Sequence, residues 1–146
     1  MIGNGEDIAM KKPLVDTQKA PGSRLILYGS VFLIISALIN AYFAWEFAVA
    51  VFLEIATTEQ LIGSAASFSL QCLLCFLVAL DAITHRNHPS AGRKIMINCF
   101  CILLIAVALF VTATNITSYI VSGISGTGAI IVIIGGYYNY RRATNH

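Results

Sequence analysis

Hydrophobic and polar positions in this chain do not alternate at a short period; they fall into long blocks. A polar stretch, Thr84-His85-Arg86-Asn87-His88-Pro89-Ser90-Ala91-Gly92-Arg93-Lys94, divides two extended apolar regions. Residues 68–83 before it carry one charge, Asp81, and residues 95–134 after it carry none. About 20 apolar residues at about 1.5 Å each cross the hydrocarbon of a bilayer, so runs of this length predict membrane-spanning helices. Four are predicted, over about 25–45, 61–83, 95–114 and 119–140. The expected fold is all-α, an integral, multi-pass membrane four-helix bundle. Residues 1–24 form a polar tail without apolar periodicity, expected to be disordered, and residues 143–146 a short second tail.

The connections are less uniform. Residues 46–60, EFAVAVFLEIATTEQ, are mixed. Either they continue the first helix, or they form a short amphipathic helix on the outer surface. Pro89 and Gly92 are expected to mark helix ends in the central loop, and residues 115–118 to make a tight outer turn.

Charge orients the blocks. Lys11, Lys12, Lys19 and Arg24 precede the first span, Arg86, Arg93 and Lys94 lie in the central loop, and Arg141 and Arg142 follow the last span. These are all nine basic residues. An even number of spans puts their three segments on one side, and the positive-inside bias makes that side, with both termini, cytoplasmic. Glu46, Glu54 and Glu59 fall in the segment left for the other side. With 58% hydrophobic and 11% charged residues and a net charge of +2, the composition excludes a nucleic-acid binder. It makes the lipid bilayer the first partner, and other membrane proteins or a second copy the next.

Small residues predict where helices meet. Gly63 and Ser67 in the second span, and Ser122 and Gly126 in the fourth, have the small-xxx-small spacing that allows close backbone approach in lipid. These two spans are expected to make the closest contact, with Gly126 against another helix. Asn40 and Asp81 are the polar residues predicted inside the spans. Asn40 should hydrogen-bond across helices. Asp81 lies about a turn from the central loop and can pair there with Arg86 or Lys94. An intramembrane carboxylate is also a candidate functional group.

Other constellations carry little chemistry. Cys72-Leu73-Leu74-Cys75 has the spacing of thiol redox sites, but its mid-span position reads as packing. Cys99 and Cys101, and less so Cys75, are candidates for acylation only at an interface. His85 and His88 could share a helical turn with Asp81, yet read as solvated loop residues. Asn115-Ile116-Thr117 is a glycosylation sequon on the outer side, too close to the membrane surface for modification. Catalytic, metal and cofactor sites are not expected.

The last span, GTGAIIVIIGGYYNYRR over 126–142, and Leu80-Asp81-Ala82 at the end of the second resemble the MARVEL-type four-span membrane proteins, the group of MAL and the chemokine-like-factor membrane proteins. The outer cysteine pair of claudins and the CCG motif of tetraspanins are missing from the sequence. The resemblance implies a non-enzymatic role in membrane traffic, membrane organisation or the chaperoning of a partner. A rival reading is an accessory subunit of a larger membrane complex (channel, receptor, pump or respiratory assembly). A third is a small proton- or redox-coupled carrier, which alone needs a working buried carboxylate or thiol pair.

Overall fold

The computed structural model describes residues 20–53, 58–113 and 116–144. They form four helices: α1 (Ser23–Phe52), α2 (Thr58–His85), α3 (Gly92–Thr112) and α4 (Ile116–Thr144), with a single 3₁₀ turn, Pro89–Ala91, leading into α3. All four contain a stretch long and apolar enough to cross a membrane. Every Lys and Arg among the described residues lies at one end of the bundle, here termed the basic end. Glu46 and Glu59 lie toward the other, the acidic end.

The helices outrun the predicted spans. Of the two possibilities for residues 46–52, the structure takes helix continuation: α1 runs on to Phe52. Its 30 residues reach roughly 45 Å at 1.5 Å per residue, beyond an apolar slab of about 30 Å. Nothing in Trp45-Glu46-Phe47-Ala48-Val49-Ala50-Val51 breaks a helix, so hydropathy falls before helicity does. Glu54 and the rest of 54–57 lie outside the described residues, as do Asn115 of the sequon, His146, and the tail through Lys19. Gly92 does not end a helix. It begins α3 with φ −53°, and it is glycine because Gly136 of α4 passes it closely.

The bundle is built outward from α1 and α4. α1 packs along both α2 and α4, and α4 along both α1 and α3, while α2 and α3 touch sparsely. The α1–α4 seam repeats at seven residues. Buried Gly22, Ile26, Gly29, Leu33, Ser36 and Asn40 on one side meet buried Val121, Ser125, Gly128, Val132, Gly135 and Asn139 on the other. The helices run antiparallel, and small stands against large: Gly135 against Ile26, Gly29 against Val132, Gly128 against Leu33. A Cβ added at Gly29 would come within 2.6 Å of Val132 Cγ2, one at Gly128 within 2.9 Å of Phe32 Cβ, and one at Gly135 within 2.8 Å of Ile26 Cγ1. No room exists there for a methyl group. α3 docks on α4 similarly, where a Cβ on Gly136 would lie 2.9 Å from Met96 Cγ.

This corrects the expected pairing of spans two and four. The pair in α2 is not a contact point; in the α4 pair, Gly126 does lie against another helix as expected, but that helix is α3. A Cβ on Gly63 would meet nothing within 4 Å, and exposed Ser67 hydrogen-bonds only back to the Gly63 carbonyl, at 2.9 Å. Ser122 is buried. Gly126 faces α3 at ordinary distances, its virtual Cβ 3.7 Å from Ala106 Cβ and 3.9 Å from Leu103 Cδ1. The close contacts follow a seven-residue period, the repeat expected of helices that stay in register over many turns.

Candidate functional site

Polar side chains inside the bundle gather at two levels. At the basic end, Asp81 of α2 holds three partners. Lys94 Nζ lies 2.9 Å from Oδ1, His85 Nδ1 3.1 Å from the same oxygen, and Asn98 Nδ2 donates to Oδ2 at 3.1 Å. Of the two cations proposed for Asp81, the structure selects Lys94. The cluster ties α2 to α3 where the two come together. Lys94 is largely exposed, so the ion pair contributes about 0–1 kcal/mol.

Beside it stands Asn139, a residue that pattern reading passed over. It is fully buried and uses both ends of its amide. Oδ1 accepts from Gly22 N–H at 2.8 Å, and Nδ2 donates to the Arg86 carbonyl at 2.9 Å. A backbone donor on one side and a backbone acceptor on the other leave only this amide orientation. Asn139 therefore fastens the start of α1 and the end of α2 to α4. Ser23 Oγ adds a bond to Asn87 Oδ1 at 2.7 Å. A lone Asn one turn from Arg142 gave no periodic signal; its buried heptad place would have been the clue.

The second level lies midway along the bundle. Ser36 Oγ donates to Ser125 Oγ at 3.0 Å, joining α1 to α4. Ser125 gives its only hydroxyl proton to the Val121 carbonyl at 2.6 Å, so it can only accept from its other neighbours. Gln71 of α2 must then present its amide N–H, which it does at 3.4 Å. Asn40 Nδ2 bonds its own helix, to Ser36 O at 2.8 Å and Ser36 Oγ at 3.3 Å. The expected cross-helix bond of Asn40 is thus carried by Ser36 instead, one turn away. Asn40 Oδ1 is fully buried without a hydrogen-bond partner.

From Gln71 a cavity of about 490 Å³ opens toward the acidic end between α2 and the α3–α4 pair. Glu59, Gly63, Ser67 and Gln71, each four residues on from the last, form one wall; Ser118 and Ser122 of α4 and Leu109 of α3 face them. Gly63, Ser67 and Ser122, predicted as helix contacts, therefore line a space. The cavity exists because α2 leans on α1, through Phe43 and Phe47 against Phe68, and leaves α3.

The cysteines are free. Cys75 and Cys99 are buried in the apolar core with Ala79 and Ile102, which removes them as acylation candidates, whereas Cys101 is exposed. Neither polar level brings a nucleophile and a base together among the described residues. What the geometry provides is fastening at the basic end and a hydrogen-bonding recess toward the acidic end. No protein-family profile, curated protein or solved structure matches the chain.

Proposed function

We propose that this chain is a multi-pass membrane protein with its basic end in the cytoplasm, acting without catalysis through lateral helix contacts in membrane traffic, membrane organisation or the chaperoning of a partner. Membership of the MARVEL-type group is part of this proposal. The supporting observation is an open groove of about 590 Å³ on the outside of the α1–α2 pair. Ala41, Ala44 and Ala48 line its α1 side, and Ser69 and Cys72, with the larger Leu73 and Phe76, its α2 side. Small residues let another helix come close where apolar burial supplies no net drive, because lipid is as apolar as the protein surface. Trp45 at the rim is 69% exposed, a large anchor for whatever covers the groove.

An accessory subunit of a larger complex would use the same groove, and the outcome of one experiment separates the two. Tagged protein is purified from native membranes in mild detergent and its companions are identified by mass spectrometry. One stoichiometric companion favours the accessory subunit; several substoichiometric ones favour traffic or chaperoning. Ala41→Leu with Ala48→Leu should abolish either pattern while expression and elution stay unchanged. Companions that persist on this variant would sink the lateral-contact reading.

A further inference from the structure

We propose that the cavity between α2 and the α3–α4 pair is a binding site for an uncharged alcohol, a hydroxyl group on a slender apolar body, entering from the acidic end. The site lies on a different face from the α1–α2 groove and does not depend on the lateral contacts proposed there.

Two buried side chains point to this chemistry. Hydroxyls within helices commonly turn back to the carbonyl four residues earlier, and Ser67, Ser125 and Thr127 do so here. Ser122 does not. It is 4% exposed and lines the cavity, yet its hydroxyl has no hydrogen-bond partner among the described residues. Gln71, 6% exposed, lines the same space from α2. Its amide has two N–H groups and a carbonyl, of which one N–H is bonded, to Ser125 at 3.4 Å. Ser122 lies about one turn of α4 from Ser125, so the unbonded hydroxyl and the half-used amide stand at the same inner end of the cavity.

Together they offer protons and lone pairs at once. Buried polar groups left unsatisfied are costly, so the fitting occupant both gives and takes. An ammonium only gives, and would leave the Ser122 proton and the second Gln71 N–H unanswered. A carboxylate only takes, would leave the Gln71 carbonyl unanswered, and would have to pass Glu59, exposed at the mouth. A hydroxyl can donate to the Gln71 carbonyl while accepting from Ser122. Water could do the same, but Phe68, Leu109 and Val121 supply an apolar part of the lining that water does not use. The volume of about 490 Å³ lies within the range of small-molecule sites, about 300–1,000 Å³. Ser64 and Ser118, nearer the mouth, keep the entrance polar.

The test uses the full chain in nanodiscs of neutral lipid, with its four cysteines replaced by Ala and Leu109→Cys introduced on the α3 wall. The reaction of that thiol with a water-soluble maleimide is timed against hexanol, hexyl methyl ether, hexylammonium and hexanoate. Hexanol should slow labelling in a saturable way, at a half-protecting concentration about fivefold or more below those of the other three, the effect of one hydrogen bond. Ala48→Cys, in the α1–α2 groove, reports any general effect on the bilayer and should label at an unchanged rate. Ser122→Ala should raise the hexanol half-protecting concentration by about fivefold and leave Tm unchanged, because that hydroxyl bonds nothing else in the fold. Gln71→Met should weaken protection in the same direction. Octadecanol built into the nanodisc lipid separates the sources: protection by it assigns the occupant to the bilayer, and protection by hexanol alone assigns it to the water. Protection by neither alcohol, which would leave the space to water, would overturn the proposal. So would equal protection by the ether or either ion, equal slowing at Ala48→Cys, protection unchanged in Ser122→Ala, or a Leu109→Cys thiol that the maleimide never reaches.

Discussion

At the scale of single residues, the bundle depends on positions where a side chain is absent and on one where both ends of an amide are bonded. The glycines rank themselves. Leucine at Gly128 would drive into Phe32 and the α1 backbone, which already stand 2.9 and 3.0 Å from a virtual Cβ. Overpacking of this kind costs about 1–3 kcal/mol or more. Gly126→Leu has Ala106 and Leu103 at contact distance and space to adjust, so it should cost less. Gly63→Leu should be close to neutral, as should Ile131→Leu. A denaturant titration in detergent should return the order Gly128, Gly126, Gly63; a Gly63 variant as unstable as Gly128 would contradict the α1–α4 seam. Asn139→Leu leaves the Gly22 N–H and the Arg86 carbonyl without their partner. A buried group left unsatisfied costs about 1–3 kcal/mol, so a Tm loss larger than that of Asn98→Leu is expected. Asn98 is half-buried and gives up only one bond to a carboxylate that retains Lys94.

At the scale of helices, the register predicts which cysteine pairs join. In a chain lacking its own cysteines, Ser36→Cys with Ser125→Cys should cross-link under mild oxidation, since the native oxygens stand 3.0 Å apart. Gly63→Cys with Gly126→Cys should stay reduced, and a reversal of these outcomes would restore the pairing of α2 with α4. This pair of experiments also marks how far the sequence could be read. Four helices were legible because hydropathy reports the length of an apolar run. Their ends were not, because residues such as Glu46 and Phe52 lie beyond the predicted span without leaving the helix. Partner choice was misread for a specific reason. Ser122 and Gly126 have the four-residue spacing of steeply crossed pairs, whereas Gly22, Gly29 and Ser36 recur at seven. Asp81 was legible as an isolated charge. Gln71 and Asn139 were not, since a single amide in an apolar helix has meaning only once its neighbours across the seam are known.

At the scale of the whole molecule, the described basic residues gather at one end, and sidedness becomes a measurable property. Ser90, in the turn before α3, and Thr58, at the start of α2, should report opposite compartments. With each changed to cysteine in turn, an impermeant maleimide added to sealed cells should reach position 58, and position 90 only after the membrane is opened. Labelling of both from outside would remove the proposed orientation.

The seam between α1 and α4 also has a consequence in time. Gly22 and Asn139 are 117 residues apart, so the first helix made meets α2 at once but receives α4, the other side of its glycine seam, only when the last helix has been made. Until then α1 and α2 can exist as a hairpin, with Gly29, Ser36 and Asn40 uncovered by α4 and the Ser36 hydroxyl without its bond to Ser125. Contacts so distant along a chain close slowly, and exposed unsatisfied surface invites wrong partners. The nascent protein therefore has a window during synthesis in which its central face is open to other chains. A premature stop between the end of α2 and the start of α4 would make that window permanent, leaving the α1–α2 hairpin without the helix that its glycine seam closes on.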